Sequence, residues 1–110
     1  MHKTDKTLRK NKEFGFVFRR GKKQVGRLMV IYAVKNRLGR NRYGIIASKK
    51  VGNAVKRNRA RRRLKDFIRK TEANLKNGFD IVLIARASIN EASFQVIVDE
   101  GEQLLKRVGL

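Results

Sequence analysis

From Ala60 to Leu75 the apolar residues recur at helical spacing while most of their neighbours are cationic. Ala60, Leu64, Phe67, Ile68, Thr71 and Leu75 share one face at about 100° per residue. A stripe of this kind must lie on something apolar, so the arginines around it belong to a folded helix and not to a disordered tail. The wider segment, Lys49 to Lys70, reads KKVGNAVKRNRARRRLKDFIRK and holds 11 basic residues against the single acid Asp66. The stripe points Arg59, Arg62 and Arg69 away from Leu64, with Arg63 and Lys65 flanking that side. Solvated helix faces normally mix signs to gain i,i+4 pairs, and this one does not. A fixed array of guanidinium groups suits phosphate, because the planar fork binds it bidentately. Nucleic acid is the expected partner.

Upstream, Val51, Ala54 and Val55 fall off the stripe, and Gly52-Asn53 is a turn and cap signal. A loop is expected over Lys49 to Asn53, with the regular helix from about Val55 onward.

The rest of the chain supplies the scaffold. Its 110 residues suffice for one domain, residues 1–110, and its 41% hydrophobic content for a core. The formal charge of +20 exceeds what solubility requires. It is also polarised: residues 1–78 hold 26 Lys and Arg against 4 acids, and residues 79–110 hold 3 against 5. The last third is therefore expected to pack and the rest to meet a polyanion.

Residues 1–10 are polar and basic and are expected to form a mobile arm. Asn11 is expected to cap a short helix in which Phe14, Val17 and Phe18 recur at helical spacing and which Gly21 closes. Phe16 points off that face. On periodicity alone, Phe14 and Phe18 read as ordinary core. Leu28 to Val34 is an apolar run of strand length, followed by the basic linker Lys35 to Arg42 and a strand from Tyr43 to Ser48, which suggests an antiparallel hairpin. Asn77-Gly78 ends the long helix, and Asp80 to Ala85 forms another apolar strand. Strand, long helix, strand implies a parallel pair through a crossover. From Ser93 a stripe of Phe94, Ile97, Gly101, Leu104, Leu105 and Val108 closes the chain as a helix. The fold class is α+β, in the order α-β-β-α-β-α.

Several chemistries find no residues here. There is no cysteine, and the one histidine, His2, sits at the terminus, so thiolate, zinc-knuckle and histidine-based sites are not expected. Asp99, Glu100 and Glu102 are the only acidic cluster, and their spacing on one helix points them apart, as a solvated face would. No apolar run has the length of a membrane span, which favours a cytoplasmic protein with no membrane partner.

The stretch SKKVGNAVKRNRARRRLKDFIR, Ser48 to Arg69, resembles the signature of the protein subunit of bacterial ribonuclease P, in which a loop and long helix carry an arginine-asparagine-arginine element, here Arg57, Asn58 and Arg59. LRKNKEFGFVFRRG at residues 8–21, the strand ending in Tyr32 and DIVLIAR at residues 80–86 follow the same order. The resemblance implies a subunit that assists a catalytic RNA in removing the 5′ leader from precursor tRNA, the scission being done by the RNA with Mg2+ and by no protein side chain. It implies catalytic-RNA contacts from Lys49, Lys50, Lys56, Arg57, Asn58, Arg59, Arg62, Arg63 and Lys65. It implies a leader cleft with Phe14, Phe18 and Tyr32 as its aromatic positions, since base stacking is how single strands are commonly gripped. Ile46 stands where the family often has a small or polar residue. A left-handed crossover is implied as well, against the general rule. No protein partner is implied. The competing readings are a small ribosomal or structural RNA-binding protein, which needs no aromatic cleft, and a protein-only nuclease. A helix-turn-helix lacks its positioning helix.

Overall fold

The computed structural model describes residues 7–110. Its elements are α1 (Asn11–Arg20), β1 (Lys22–Val25), β2 (Met29–Lys35), β3 (Arg42–Ile46), α2 (Ala54–Thr71), β4 (Phe79–Ala85) and α3 (Phe94–Arg107), with 3-10 turns at Glu72–Asn74 and Ala87–Glu91. The strands form one sheet in the order β1-β2-β4-β3. The β1–β2 and β2–β4 pairs are antiparallel and β3–β4 is parallel. The α+β class and the parallel pair through α2 are therefore present.

Two expectations about the sheet are corrected. The hairpin expected between Leu28–Val34 and Tyr43–Ser48 does not form, because β4 lies between these strands. Every residue of β4 except Ile84 is buried, and a strand covered on both faces belongs at the centre of a sheet. The Lys35–Arg42 linker steps across it, a distance of about two strand spacings, or roughly 10 Å. Asn36 fastens that step: its side-chain amide donates to Asp80 Oδ1 (2.8 Å) and to the Arg40 carbonyl (3.1 Å), while its Oδ1 accepts from Leu38 N–H (2.9 Å). The second correction is an added strand. β1 pairs with β2, and the order becomes α-β-β-β-α-β-α. Its sequence, KKQV, is mostly exposed and carries no apolar alternation to announce a strand, as suits a short edge protected by lysines.

The sheet is covered unequally. Met29, Ile31 and Ala33 of β2 and Phe79, Ile81, Leu83 and Ala85 of β4 face α2 and α3 in one continuous core. α2 meets it with Ala60, Leu64, Phe67, Ile68 and Thr71, the stripe read from the sequence; Leu75 joins the core from beyond the helix end. The phase follows from the N-cap, since Asn53 Oδ1 accepts from Lys56 N–H at 3.0 Å. α3 is capped by Ser93 and packs Ile97, Val98, Leu104 and Leu105 inward, while Phe94 stays partly exposed. Gly101 lets the two helices close, for a Cβ there would overlap the Phe67 ring.

Glu100 departs from the solvated role expected of it. Its carboxylate accepts the backbone N–H groups of Arg27 (2.9 Å), Leu28 (2.8 Å) and Met29 (3.2 Å), pinning the β1–β2 turn onto α3.

On the opposite face a smaller cluster gathers Leu8, Val17 and Val82 under α1. The cap of α1 is Lys10, one residue before the expected Asn11, and Glu13 accepts N–H bonds from Arg9 and Lys10 (3.0 Å each). Gly21 ends the helix in extended geometry with its N–H donating to the Val17 carbonyl at 2.7 Å, a close approach at which a Cβ would strike that carbonyl. Of the arm expected over residues 1–10, residues 1–6 lie outside the described residues. From Thr7 the chain belongs to the fold: Thr7 bridges Tyr43, Leu8 N–H donates to the Tyr43 carbonyl at 2.9 Å, and Leu8 is 3% exposed.

Candidate nucleic-acid interface

The strand register explains how an aromatic surface arises on the α1 face. Lys23, Tyr32, Val82 and Gly44 form one cross-strand row, Val25, Val30, Ile84 and Ile46 the next, and Val34, Asp80 and Arg42 a third. α1 lies across the first row. Phe14 packs onto the bare backbone of Gly44, where any side chain would overlap its ring. Phe18 meets Tyr32 edge-on, with centroids 4.9 Å apart and planes at 73°, and lies 6.5 Å from Phe14. The three predicted aromatics are therefore brought together. The row beside them stays open: Val30, Ile84 and Ile46 are half-buried and Val25 is exposed. Ile46 also lines a hollow with Phe14, Gly15 and Phe18. Phe18 keeps 40% of its surface in solvent. It is not the interior residue that periodicity suggests, and Tyr32 beside it is half-buried.

Sequence reasoning missed Lys23, whose ammonium stands 5.5 Å from the Tyr32 ring centroid. A cation over a tyrosine face makes the floor more attractive to phosphate without removing its apolar character. Only the unforeseen β1 pairing places it there.

The third row carries a polar lock. Arg42 binds Asp80 twice, Nε to Oδ1 at 2.9 Å and Nη2 to Oδ2 at 2.7 Å, and reaches Glu13 of α1 at 3.0 Å. Asp80 is buried at the start of what the sequence presented as an apolar strand. The two carboxylates raise the Arg42 pKa, hydrogen bonding to Asp80 contributing most. Glu13 is held below the usual carboxylate range, first by the Lys10 and Arg9 N–H groups and then by Arg42. Through Glu13 the lock ties α1 to β3 and β4 beside the aromatic row.

Three residues after Ile46 the chain reaches the basic turn, Lys49 and Lys50, both exposed. Gly52 turns it with φ at 140°, and the Arg57 guanidinium donates to the Gly52 carbonyl at 3.0 Å, fixing turn and helix together. Lys56, Asn58, Arg59, Arg62 and Lys65 are exposed along α2. The ion pair that α2 makes among the described residues is Arg69–Asp66 at 3.4 Å, on its far half. Arg63 does not join the array. Its guanidinium is folded onto the Ala92 carbonyl, and burial, then the charge of Arg59, lowers its pKa. Arg61, which sequence reasoning left aside, bridges Asn58 Oδ1 (2.8 Å) and the Ala47 carbonyl (3.5 Å), tying the helix to the end of β3.

Among the described residues no group of three or more His, Cys, Asp or Glu is placed to hold a metal, and no helix is long and apolar enough to cross a membrane.

A family model described as Ribonuclease P matches residues 1–109. The ribonuclease P protein component of Clostridium botulinum strain Langeland is 46% identical over 104 residues, covering 94% of each chain. That of Syntrophomonas wolfei is 42% identical over 103 residues, 94% of this chain and 87% of its own. Among solved structures, the RNase P protein from Thermotoga maritima superposes with a TM-score of 0.84 at 29% identity, covering 94% of this chain and 98% of its own. The Staphylococcus aureus RNase P protein gives 0.84 at 28% identity, covering 96% and 97%.

Proposed function

The chain belongs to the ribonuclease P protein family, and from that premise we propose how its two surfaces divide the work of the particle. The family's role is in a ribonuclease that processes tRNA, together with an RNA subunit and precursor tRNA. In our reading the turn and α2 dock on the catalytic RNA through Lys49, Lys50, Lys56, Arg57, Asn58, Arg59, Arg62 and Lys65. Arg63 contributes from within by holding the α3 approach in place. The cleft between α1 and the open row of the sheet takes the single-stranded 5′ leader, with Phe14, Phe18 and Tyr32 as stacking surfaces and Lys23 beside them. The particle works in the cytoplasm.

The observation that carries this reading is the separation of two unlike surfaces on one rigid sheet. One is an exposed cationic helix side without acidic partners, the other an apolar aromatic hollow. Phosphate backbone suits the first and unpaired bases the second. A structural RNA-binding protein would need only the first.

The cut itself is assigned to the RNA with Mg2+ bound mainly by that RNA, where the metal would supply the nucleophile and stabilise charge on phosphate. The donor set of the protein supports this, since Glu13 and Asp80, the carboxylates nearest the cleft, are both engaged by Arg42. The protein's residues bind and orient.

The test is assembly as a function of salt. Neutralising about six phosphates costs roughly 10³-fold in affinity between about 50 and about 200 mM salt. Arg59→Ala should lower both the affinity for the catalytic RNA and that slope, and Phe18→Ala neither. A salt-independent Kd, or equal effects of the two substitutions, would refute the division.

A further inference from the structure

α1 carries a third phenylalanine that the cleft does not use. Phe16 lies on the opposite flank of the helix from Phe14 and Phe18 and is 45% exposed. That flank borders a cavity of about 690 Å3 between α1 and the β2–β3 connection. Lys12 and Arg19 stand one turn on either side of Phe16 on the same helix face, and Lys35, Arg37 and Leu38 form the facing wall. Leu38 is 43% exposed. The two carboxylates that also line the cavity, Glu13 and Asp80, are both occupied by Arg42, so Lys12, Arg19, Lys35 and Arg37 have no acidic partner among the described residues. Asn36, the amide on that wall, spends both ends of its side chain on Asp80, Arg40 and Leu38. What remains free is an aromatic ring, a leucine and four cations.

We propose that this cavity is a second stacking site for the leader, taking its distal nucleotides after the strand has left the Phe14–Phe18–Tyr32 cleft and crossed α1. The proposal rests on the cleft reading above and extends it. An exposed ring among cations fits single-stranded RNA, whose bases are free to stack, and not a duplex, whose bases are stacked internally. The position selects the leader over the catalytic RNA. The basic turn continues from the Ile46 end of β3, whereas the cavity lies at the Arg42 end, on the far side of α1. A helix about 10 Å across separates the two, and a strand threaded past that helix reaches both sides.

The experiment uses the full chain reconstituted with its catalytic RNA and three ligands: mature tRNA and precursors with leaders of about four and about twelve nucleotides, lengths that bracket single-strand site sizes. Phe16→Ala should weaken the long-leader precursor by about fivefold or more and leave the other two ligands and the thermal melt unchanged. Phe16→Tyr should restore binding, since it keeps the stacking face. Phe18→Ala should weaken both precursors. No loss with Phe16→Ala on the long leader, while Phe18→Ala still acts on both, overturns the second site and leaves the cleft standing. Equal loss on all three ligands assigns Phe16 to the catalytic RNA or the tRNA body and also overturns it. No leader effect of Phe18→Ala removes the cleft and this proposal with it.

Discussion

The two faces of the sheet are built from the same strands and covered to different degrees. Along β2, Met29, Ile31 and Ala33 are buried beneath α2 and α3, while their alternates Val30, Tyr32 and Val34 are half-buried beside α1. Two long helices close one face; a single ten-residue helix crosses the other and leaves a row of apolar residues beside it. Apolar area that stays in water contributes nothing to stability. The closed face therefore holds the fold together, and the half-open one is free to be spent on a ligand.

Substitution of Phe67 probes the closed face and carries the largest expected effect. The ring is fully buried against Gly101, so Phe67→Ala should cost about 3–5 kcal/mol by transfer and cavity terms. Chemical denaturation without RNA measures it, because RNA that binds only the folded state would mask the loss. A loss below about 1 kcal/mol would mean that the interior collapses around the gap and that the faces differ less than their burial implies.

Phe18→Ala sharpens the comparison from the other side. With two fifths of its surface already in water, the ring should account for about 1–2 kcal/mol of stability, less than the Phe67 ring. Leader-bearing precursor should lose about 1–3 kcal/mol of binding per stack removed, with mature tRNA unaffected. A stability loss matching that of Phe67→Ala would make Phe18 core and erase the distinction.

The smallest effect concerns the anchorage of α1. The folded-state pKa of Glu13 lies below its ordinary value. Its contribution is therefore fully present above the unfolded pKa and is lost as pH falls through the lower folded value. Glu13→Gln should cost a few tenths to about 1 kcal/mol near neutrality and reduce the pH dependence of stability below about pH 5. An unchanged acid limb would show that α1 is held by the packing of Phe14 on Gly44 and of Val17 on Val82, and not by Glu13.

Particular residues mark how far the sequence could be read. The phase of α2 was legible because Leu64 and Phe67 must face inward whatever they meet, and Asn53 caps the helix through purely local bonds. The long strands, α3 and the family followed equally from local patterns, down to the Arg57-Asn58-Arg59 element. Pairing did not. β4 between β2 and β3, and β1 as the edge, depend on which strand is buried on both sides, which no single segment reveals.

The candidate surfaces split along the same line. The exposed side of α2 follows from a helix period and a charge count, so Arg59 and Arg62 could be placed without coordinates. Arg63 could not, since its inward turn depends on a carbonyl at Ala92 brought by another element. The same holds for Glu100 on the β1–β2 turn and for Lys23 over Tyr32. Sequence by itself determined the three helices, the three apolar strands, the buried face of α2 and the sign of the partner, because periodicity and charge are local properties of a chain. Only the tertiary structure decided which polar groups are consumed internally and which aromatics remain open, because hydrogen-bond partners and solvent access are set by residues distant in sequence.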